Sequence, residues 1–365
     1  MVLKSLSLQN FRNYSQKEFI FSSGINLVVG PNAVGKTNLL EAIYLLATGR
    51  SFRAQVETEM ISYNKQMSNV KSQIYLSESK TSEELEIILT RGEINGKRVA
   101  KKIYKVNGVN RRMIDFVGHL RVVYFGPEDL EIVVDSPSRR RDYLDSVLEQ
   151  VDKEYRRASL SYKKGLRQRN KLLEQIREGG KPRSVLYFWD RLLLENGEVI
   201  TRKREEFINF VNQQPAYFEK LEVVYDKSII SPQRLEQYAE EEVAAGMTLV
   251  GPHRDDIKFQ IPRLAGGQAN SKFQIKRDLS CFGSRGEQRI AVFCLKLAEM
   301  EFITQKTGQR PTLLLDDIFS ELDHQRRKHL LEVIPRQQTI ITTTDFHLVE
   351  PEARKKMEVI TLLPP

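Results

Sequence analysis

Only two cysteines, Cys281 and Cys294, occur in 365 residues. They have neither metal-ligand spacing nor a histidine cluster beside them, so no disulfide framework is expected and a reducing compartment is. Apolar runs are short. None approaches the ~20 residues that span a bilayer, and Met1-Val2-Leu3-Lys4-Ser5-Leu6 lacks the apolar stretch of a secretory signal. A cytoplasmic chain with no membrane segment is the expectation. Sustained heptads are missing too, and Pro182, Pro215 and Pro232 interrupt the charged middle of the chain, which argues against a long coiled coil. Acid is scarce where base is dense: between Arg139 and Arg183 there are 14 Arg and Lys against 7 Asp and Glu.

What is present suits a large globular protein. Hydrophobic residues make up 40% and charged ones 29%, enough for one large domain or two lobes with proper cores. The formal charge of +9 favours a polyanionic partner. The most informative stretch is Gly30-Pro31-Asn32-Ala33-Val34-Gly35-Lys36-Thr37. A β-branched run, Ile25 to Val29, leads into it. Leu39, Leu40, Ile43, Leu46 and Ala47 follow at helical spacing as far as Gly49. Strand, glycine-rich turn and helix in that order form a phosphate loop, whose backbone N–H groups and helix start bind a polyphosphate. Lys36 is then expected on the β/γ-phosphates and Thr37 on Mg²⁺.

In chain order, Val2 to Leu8 and Glu18 to Phe21 read as strands. Between Asn69 and Val109, short β-prone segments separated by Asn95-Gly96 and Asn107-Gly108 predict hairpins and a small antiparallel sheet. Arg121 to Phe125 is a further strand, ended by Gly126-Pro127-Glu128. From Ser138 to about Glu206 the chain favours helix, and Tyr143, Tyr155 and Tyr162 are interleaved with bases. Arg139, Arg140, Arg141, Arg156, Arg157, Lys163 and Lys164 are the expected contacts to a nucleic-acid backbone. A protein partner or a merely solvated face stay open, although the excess of one sign argues against simple salt-bridge lacing.

Gly251-Pro252-His253-Arg254 either presents donors to a phosphate or a partner subunit, or is a turn whose Arg254 pairs with Asp255 or Asp256. Ser284-Arg285-Gly286-Glu287-Gln288 opens a helix. Its Ser and Glu fit an ordinary capping box, which leaves Gly286 unexplained. Thr312 to Leu315 is an apolar strand running into Asp316 and Asp317. Asp316 is expected to order Mg²⁺ and its water, and Asp317 to polarise the attacking water, so Lys36, Asp316 and Asp317 are the expected catalytic set, the alternative being that the two acids are plain helix-capping surface residues. Ser320-Glu321-Leu322-Asp323, a helix with Arg326, Arg327, His329 and Leu330, and the strand Thr339 to Thr344 before Asp345 follow.

Taken in order, Gly30 to Thr37, Ser284 to Gln288, Leu313 to Asp317 and Ser320 to Asp323 resemble the phosphate loop, signature, Walker B and D-loop of an ABC-type ATPase head. Asn10 to Tyr14, Gly49 to Arg53, Pro137 to Arg141 with Leu144-Asp145, and Gly251 to Arg254 narrow this. The chain resembles the RecF family of bacterial recombination mediators, related to the heads of SMC proteins.

The resemblance implies an α/β ABC-type P-loop ATPase head with a mixed sheet, flanking helices, a small antiparallel sheet and an inserted helical lobe. Its parts would be 1–126 and 247–365 for the head and 127–246 for the basic lobe. It implies an ATP-dependent homodimer with weak, DNA-stimulated ATPase activity on single-stranded and double-stranded DNA and on junctions, acting in replication and repair, in recombinase loading and in SOS induction, with RecR and RecO as partners. Cofactors would be ATP and Mg²⁺. Gly30 to Thr37 would bind nucleotide, Arg12 and Asn13 would approach it, and Ser284 and Gly286 would cap it from the other subunit. Asp323 would cross the interface, and Pro127-Glu128 would lie near the Q-loop, where no glutamine stands. Asp317 replaces the usual glutamate and Thr344 the usual switch histidine, so hydrolysis is expected to be slow. The alternatives are the ATP-binding subunit of a membrane transporter and a non-catalytic DNA-binding scaffold.

Overall fold

The computed structural model describes residues 1–76, 79–94, 96–215, 221–261, 263–264, 274–275, 277–318, 336–344 and 354–363. Asn95, the stretch Ser320 to Asp323, Arg326, Arg327, His329, Leu330 and Asp345 lie outside the described residues. The chain divides into two compact units, Met1–Asp129 with Ile303–Pro365, and Leu130–Phe302.

The first unit holds two sheets. β1 (Val2–Phe11) and β2 (Tyr14–Ile20) form a hairpin, and β4 (Met67–Leu76), β5 (Thr81–Thr90), β8 (Lys102–Val106) and β9 (Val109–Arg111) extend it in the order β2-β1-β4-β5-β8-β9, antiparallel throughout. On β1 the buried residues are Leu3, Leu6, Leu8 and Phe11, which a strict two-residue period cannot produce. An irregularity between Leu3 and Ser5 and a left-handed Asn10 (φ 52°) supply the missing half-steps. Asn107 and Gly108 both have positive φ, 51° and 76°, and turn β8 into β9 as expected of an Asn-Gly pair. The two-residue strands β6 (Glu93–Ile94) and β7 (Lys97–Arg98) flank the other such pair.

The second sheet is wholly parallel. Its order is β10-β15-β16-β3-β17, built from β10 (Val122–Phe125), β15 (Thr312–Asp316), β16 (Thr339–Thr343), β3 (Ile25–Val29) and β17 (Met357–Thr361). Parallel pairing puts every strand's C-terminal end on one edge, the edge at which α/β folds bind ligands. The phosphate loop, Gly126, Asp316 and Thr344 all follow from it. α1 (Lys36–Thr48) packs against strands of both sheets, which explains why ten of its residues are buried. It stops at Gly49, whose φ of 72° lets its N–H reach Leu45 O. α2 (Met113–Phe116) is a single turn.

The second unit is mainly helical: α3 (Leu130–Val134), α4 (Pro137–Val151), α5 (Lys153–Arg177), α6 (Tyr187–Gln213), α7 (Pro232–Gln237), α8 (Ala239–Ala245), α9 (Leu279–Phe282) and α10 (Arg285–Thr307) as far as Phe302. α5 and α6 run antiparallel, pinned by Arg169–Asp190 at 2.7 Å and Lys203–Asp152 at 2.6 Å. The unit extends beyond the expected return to the head at Met247. β12 (Asp256–Gln260) pairs with β11 (Glu222–Asp226), and the turn before it is tied to α6 by Arg204, which donates to Pro252 O at 2.7 Å. β13 (Arg263–Leu264) and β14 (Gln274–Ile275) form a further short hairpin.

Candidate functional site

The loop after β3 is braced from outside. Asn13 Nδ2 donates to Val34 O at 2.9 Å and Tyr14 OH to Gly35 O at 3.0 Å. Gly35 has a φ of 112°, and a Cβ there would lie 2.8 Å from atoms of both bracing side chains. Gly30 is pressed equally close, 2.8 Å from Leu362 O for the same added atom. Gly35 is also the N-cap of α1, where no side chain caps the helix and no acid stands in the first turn. Donors and the positive end of the dipole therefore face the cavity unneutralised. Lys36 Nζ donates to Gly30 O at 2.7 Å and Pro31 O at 2.8 Å. Burial pushes its pKa down, against the pull of Asp317 and Asp316.

A cavity of about 480 Å³ opens there, within the usual range for small-molecule sites. Asn32, Ala33, Gly35, Lys36 and Thr37 line it together with Asp316, Asp317 and Thr344. Asp316 is buried; Thr342 Oγ1 donates to its Oδ1 at 2.6 Å. Asp317 adopts a left-handed φ of 49° and its N–H donates to Thr342 O at 3.2 Å, which turns the chain where two acids must diverge. The Thr37 hydroxyl makes no hydrogen bond among the described residues. A cradle of amide donors, a lysine, a hydroxyl and a buried aspartate is the donor set that fits a triphosphate with a hard divalent cation.

Arg12 stands in the turn between β1 and β2, held by protein partners. Its guanidinium grips Glu41 at 2.8 and 2.6 Å and donates to Glu59 O at 2.8 Å. Glu41 is fully buried, and also accepts from Ser51 Oγ at 2.5 Å and Arg53 Nε at 3.2 Å. Arg53 in turn lines the cavity. Sequence reasoning passed over Glu41, although an acid between Leu40 and Ala42 on an otherwise apolar helix is a visible signal of a buried partner. Glu128 also lines the cavity, and burial pushes its carboxyl up.

In the second unit the capping box at α10 is formed. Ser284 N and Oγ both donate to Glu287 Oε2 at 2.7 Å, and Glu287 N returns to Ser284 Oγ at 3.3 Å. Ser284 and Gly286 are exposed. A Cβ on Gly286 would meet nothing closer than 4.0 Å, and its φ is not left-handed, so nothing among the described residues requires glycine there.

The basic residues divide by burial. Arg140 binds Asp256, Arg141 donates to Asp255 O at 2.9 Å, and Arg156 donates to Glu149 O. Arg139 is more exposed and pairs with Glu131 at 3.1 Å, while Lys163 pairs with Asp145 at 2.5 Å. Arg204 sits at the centre, bonded to Asp145 at 2.9 Å and Asp255 at 2.8 Å. Arg204 and Lys163 hold the Asp145 carboxyl below the usual range, overcoming its burial.

His253 accepts from Tyr162 OH at 2.9 Å and donates Nε2–H to Thr248 O at 3.0 Å; burial lowers its pKa to about 4. Arg254 pairs with neither Asp255 nor Asp256, but donates to Thr248 O at 3.4 Å. Six bases are exposed on α5; apart from Arg177 at its end, they are Lys153, Arg157, Lys164, Arg167 and Lys171. Their spacing puts them on one face over about 27 Å. Arg157, Lys164 and Lys171 have no ion pair among the described residues.

The sequence matches the RecF/RecN/SMC N-terminal domain over residues 2–361. It is 38% identical to the DNA replication and repair protein RecF of Herpetosiphon aurantiacus, covering 95% of this chain and 94% of that one. The RecF of Lachnoclostridium phytofermentans is 36% identical over 94% and 93%. The solved structure of the recombination mediator RecF with ATP, from the RecFOR pathway, superposes with a TM-score of 0.83 at 34% identity, covering 96% of this chain and 93% of that one. An Smc head domain from Pyrococcus furiosus, at 16% identity and a TM-score of 0.52 over 99% and 94%, shares the fold. Matched along nearly its whole length in sequence and in structure, the chain belongs to the RecF family of DNA replication and repair proteins.

Proposed function

We propose that this protein binds ATP with Mg²⁺, dimerises around it, and in that form holds DNA during replication and repair until slow hydrolysis releases it. One observation carries the reading. The cavity in the first unit supplies phosphate donors and acids, while Gly286 stands at an exposed helix start where nothing among the described residues requires glycine. A second copy bringing that helix start to the cavity explains both, because a residue without a Cβ allows close approach of a ligand. Family membership sets aside the transporter alternative.

Bound magnesium neutralises charge on the phosphates. The chain's own groups do the rest. Lys36 would exchange its two loop carbonyls for phosphate oxygens, Thr37 and Asp316 would hold the metal, and Asp317 would accept a proton from water. An aspartate reaches one methylene less far than a glutamate, and Thr344 offers no positive charge, so turnover is slow. Ser284, Gly286 and the α10 dipole complete the site of the partner copy, and Asn13 holds the loop in shape. Nucleotide then acts as a ligand of the dimer and shifts the monomer–dimer equilibrium by mass action.

For DNA, the α5 face offers Arg157, Lys164 and Lys171, which form no ion pair among the described residues. Arg157 and Lys164 are its centre, with Lys153, Arg167 and Lys171 extending it, whereas Arg140 and Arg156 are buried. Phosphate contacts of this kind bind single-stranded and double-stranded DNA without reading sequence. RecR and RecO are the proposed protein partners, and recombinase loading and SOS induction the proposed contexts. Sedimentation of the protein with ATP, with DNA and with both tests the reading. ATP-dependent dimers with enhanced DNA binding are expected; equal DNA binding by an ATP-free monomer contradicts it.

A further inference from the structure

The phosphate loop and the acids at the end of β15 do not account for a third group beside them, the phenol of Tyr124. Its ring stacks on Phe52, with centroids 4.0 Å apart and planes within 15°, and meets Tyr44 edge-on at 6.1 Å. Two aromatic neighbours leave it little freedom. Its hydroxyl donates to Glu128 Oε2 at 2.8 Å and lies 3.4 Å from Asp316 Oδ2. One phenol thus stands between a carboxylate on the cavity wall and the expected metal ligand.

Gly126 makes this possible. A Cβ at position 126 would lie 2.1 Å from the Tyr124 hydroxyl oxygen and 2.5 Å from the ring carbon that bears it. No real Cβ tolerates such a contact, and the φ of Gly126 is not in the left-handed region, so close approach of the phenol is the reason for glycine here. The turn itself is held by Gly126 N–H donating to Asp129 Oδ2 at 2.9 Å.

We propose that Tyr124 is a positioning residue of the metal–nucleotide site, and that Gly126 provides the space its hydroxyl occupies. The phenol fixes Glu128 at the cavity wall, where the sequence has no Q-loop glutamine, and links two carboxylates, Glu128 and Asp316, that would otherwise only repel. Asp316, its Oδ1 held by Thr342, is the carboxylate that would hold the metal. Groups that orient metal ligands in this way commonly matter about 10–100-fold for metal affinity or activity when removed. The inference rests on the nucleotide reading above and assigns to that site an orienting group that its sequence motifs do not include.

The test uses the full-length protein and four variants: Tyr124→Phe, Gly126→Ala, the two together, and Lys36→Met. ATP binding is titrated with Mg²⁺ and then with Mn²⁺, alongside thermal melting. Tyr124→Phe is expected to raise the half-saturating Mg²⁺ concentration about tenfold with its melting temperature nearly unchanged. Gly126→Ala should raise it similarly, and the double variant should add less than about twofold to the larger single effect, because both changes remove the same hydrogen bond. A Tyr124→Phe protein with wild-type Mg²⁺ dependence overturns the inference. So does a double variant whose shift is the product of the two single shifts. If the wild type binds no ATP at any Mg²⁺ concentration, or Lys36→Met binds as well as wild type, the nucleotide reading itself fails.

Discussion

Arg140 binds Asp256 through two parallel N–H···O bonds of 2.6 and 3.1 Å, although 116 residues separate them in the chain. The guanidinium also donates to Asp135 O at 2.5 Å, and its side chain is only 9% exposed. A charge so engaged has little left for DNA. Arg140→Ala should therefore cost about 3 kcal/mol of stability, as breaking a buried pair does. Chemical denaturation and the salt dependence of DNA binding check this together: a lower midpoint with an unchanged salt slope is expected.

The opposite holds on α5. Replacing Arg157, Lys164 and Lys171 together by glutamine should lower the slope of log affinity against log salt by about two to three units, near 0.9 for each phosphate left without its cation. Stability should barely move, because surface charges away from partners contribute little. Fluorescence anisotropy with a short duplex and a single strand, each at several salt concentrations, measures it.

Glu41 is the only acid among the buried residues of α1, and it faces the guanidinium groups of both Arg12 and Arg53. Glu41→Gln leaves two cations short of a counter-charge and loosens Arg53 on the cavity wall. A stability loss of about 3 kcal/mol is expected, with weaker nucleotide binding. Calorimetry of unfolding and of ATP binding reads the two effects separately.

His253 is neutral in the folded chain, with its pKa lowered by burial from about 6.5 to about 4. The unfolded chain takes up a proton between those values and the folded one does not. Its contribution to stability is thus full above pH 6.5, falls as pH drops to about 4, and is lost below. The difference amounts to about 3 kcal/mol. His253→Gln should flatten that part of the stability–pH curve relative to the wild type, as measured by urea midpoints from pH 7 to pH 4.

What the sequence shows and what it hides follow from the range of the interactions. Gly30 to Thr37 and Thr312 to Asp317 are legible because strand, turn and helix start are adjacent in the chain, and the cavity does gather Lys36, Thr37, Asp316 and Asp317. Asn107-Gly108 is legible for the same reason. The fate of the arginines is not: Arg140 and Arg157 look alike in a basic run, and only pairing with Asp256 separates them. Nor is the extent of the second unit, because the β11–β12 pairing joins residues some thirty positions apart across a stretch that resembles a return to the head. Tyr124 and Gly126 read as a strand end and a turn until the space between them is measured.

The most direct test of the shared site is complementation. Lys36→Met chains lack the phosphate grip and Ser284→Arg chains lack the capping helix start, so neither should dimerise with ATP alone. Mixed in equal amounts they can form one intact composite site. Sedimentation of the mixture with ATP is expected to show a dimer that neither variant forms by itself; a mixture that stays monomeric beside a wild type that dimerises contradicts the shared site.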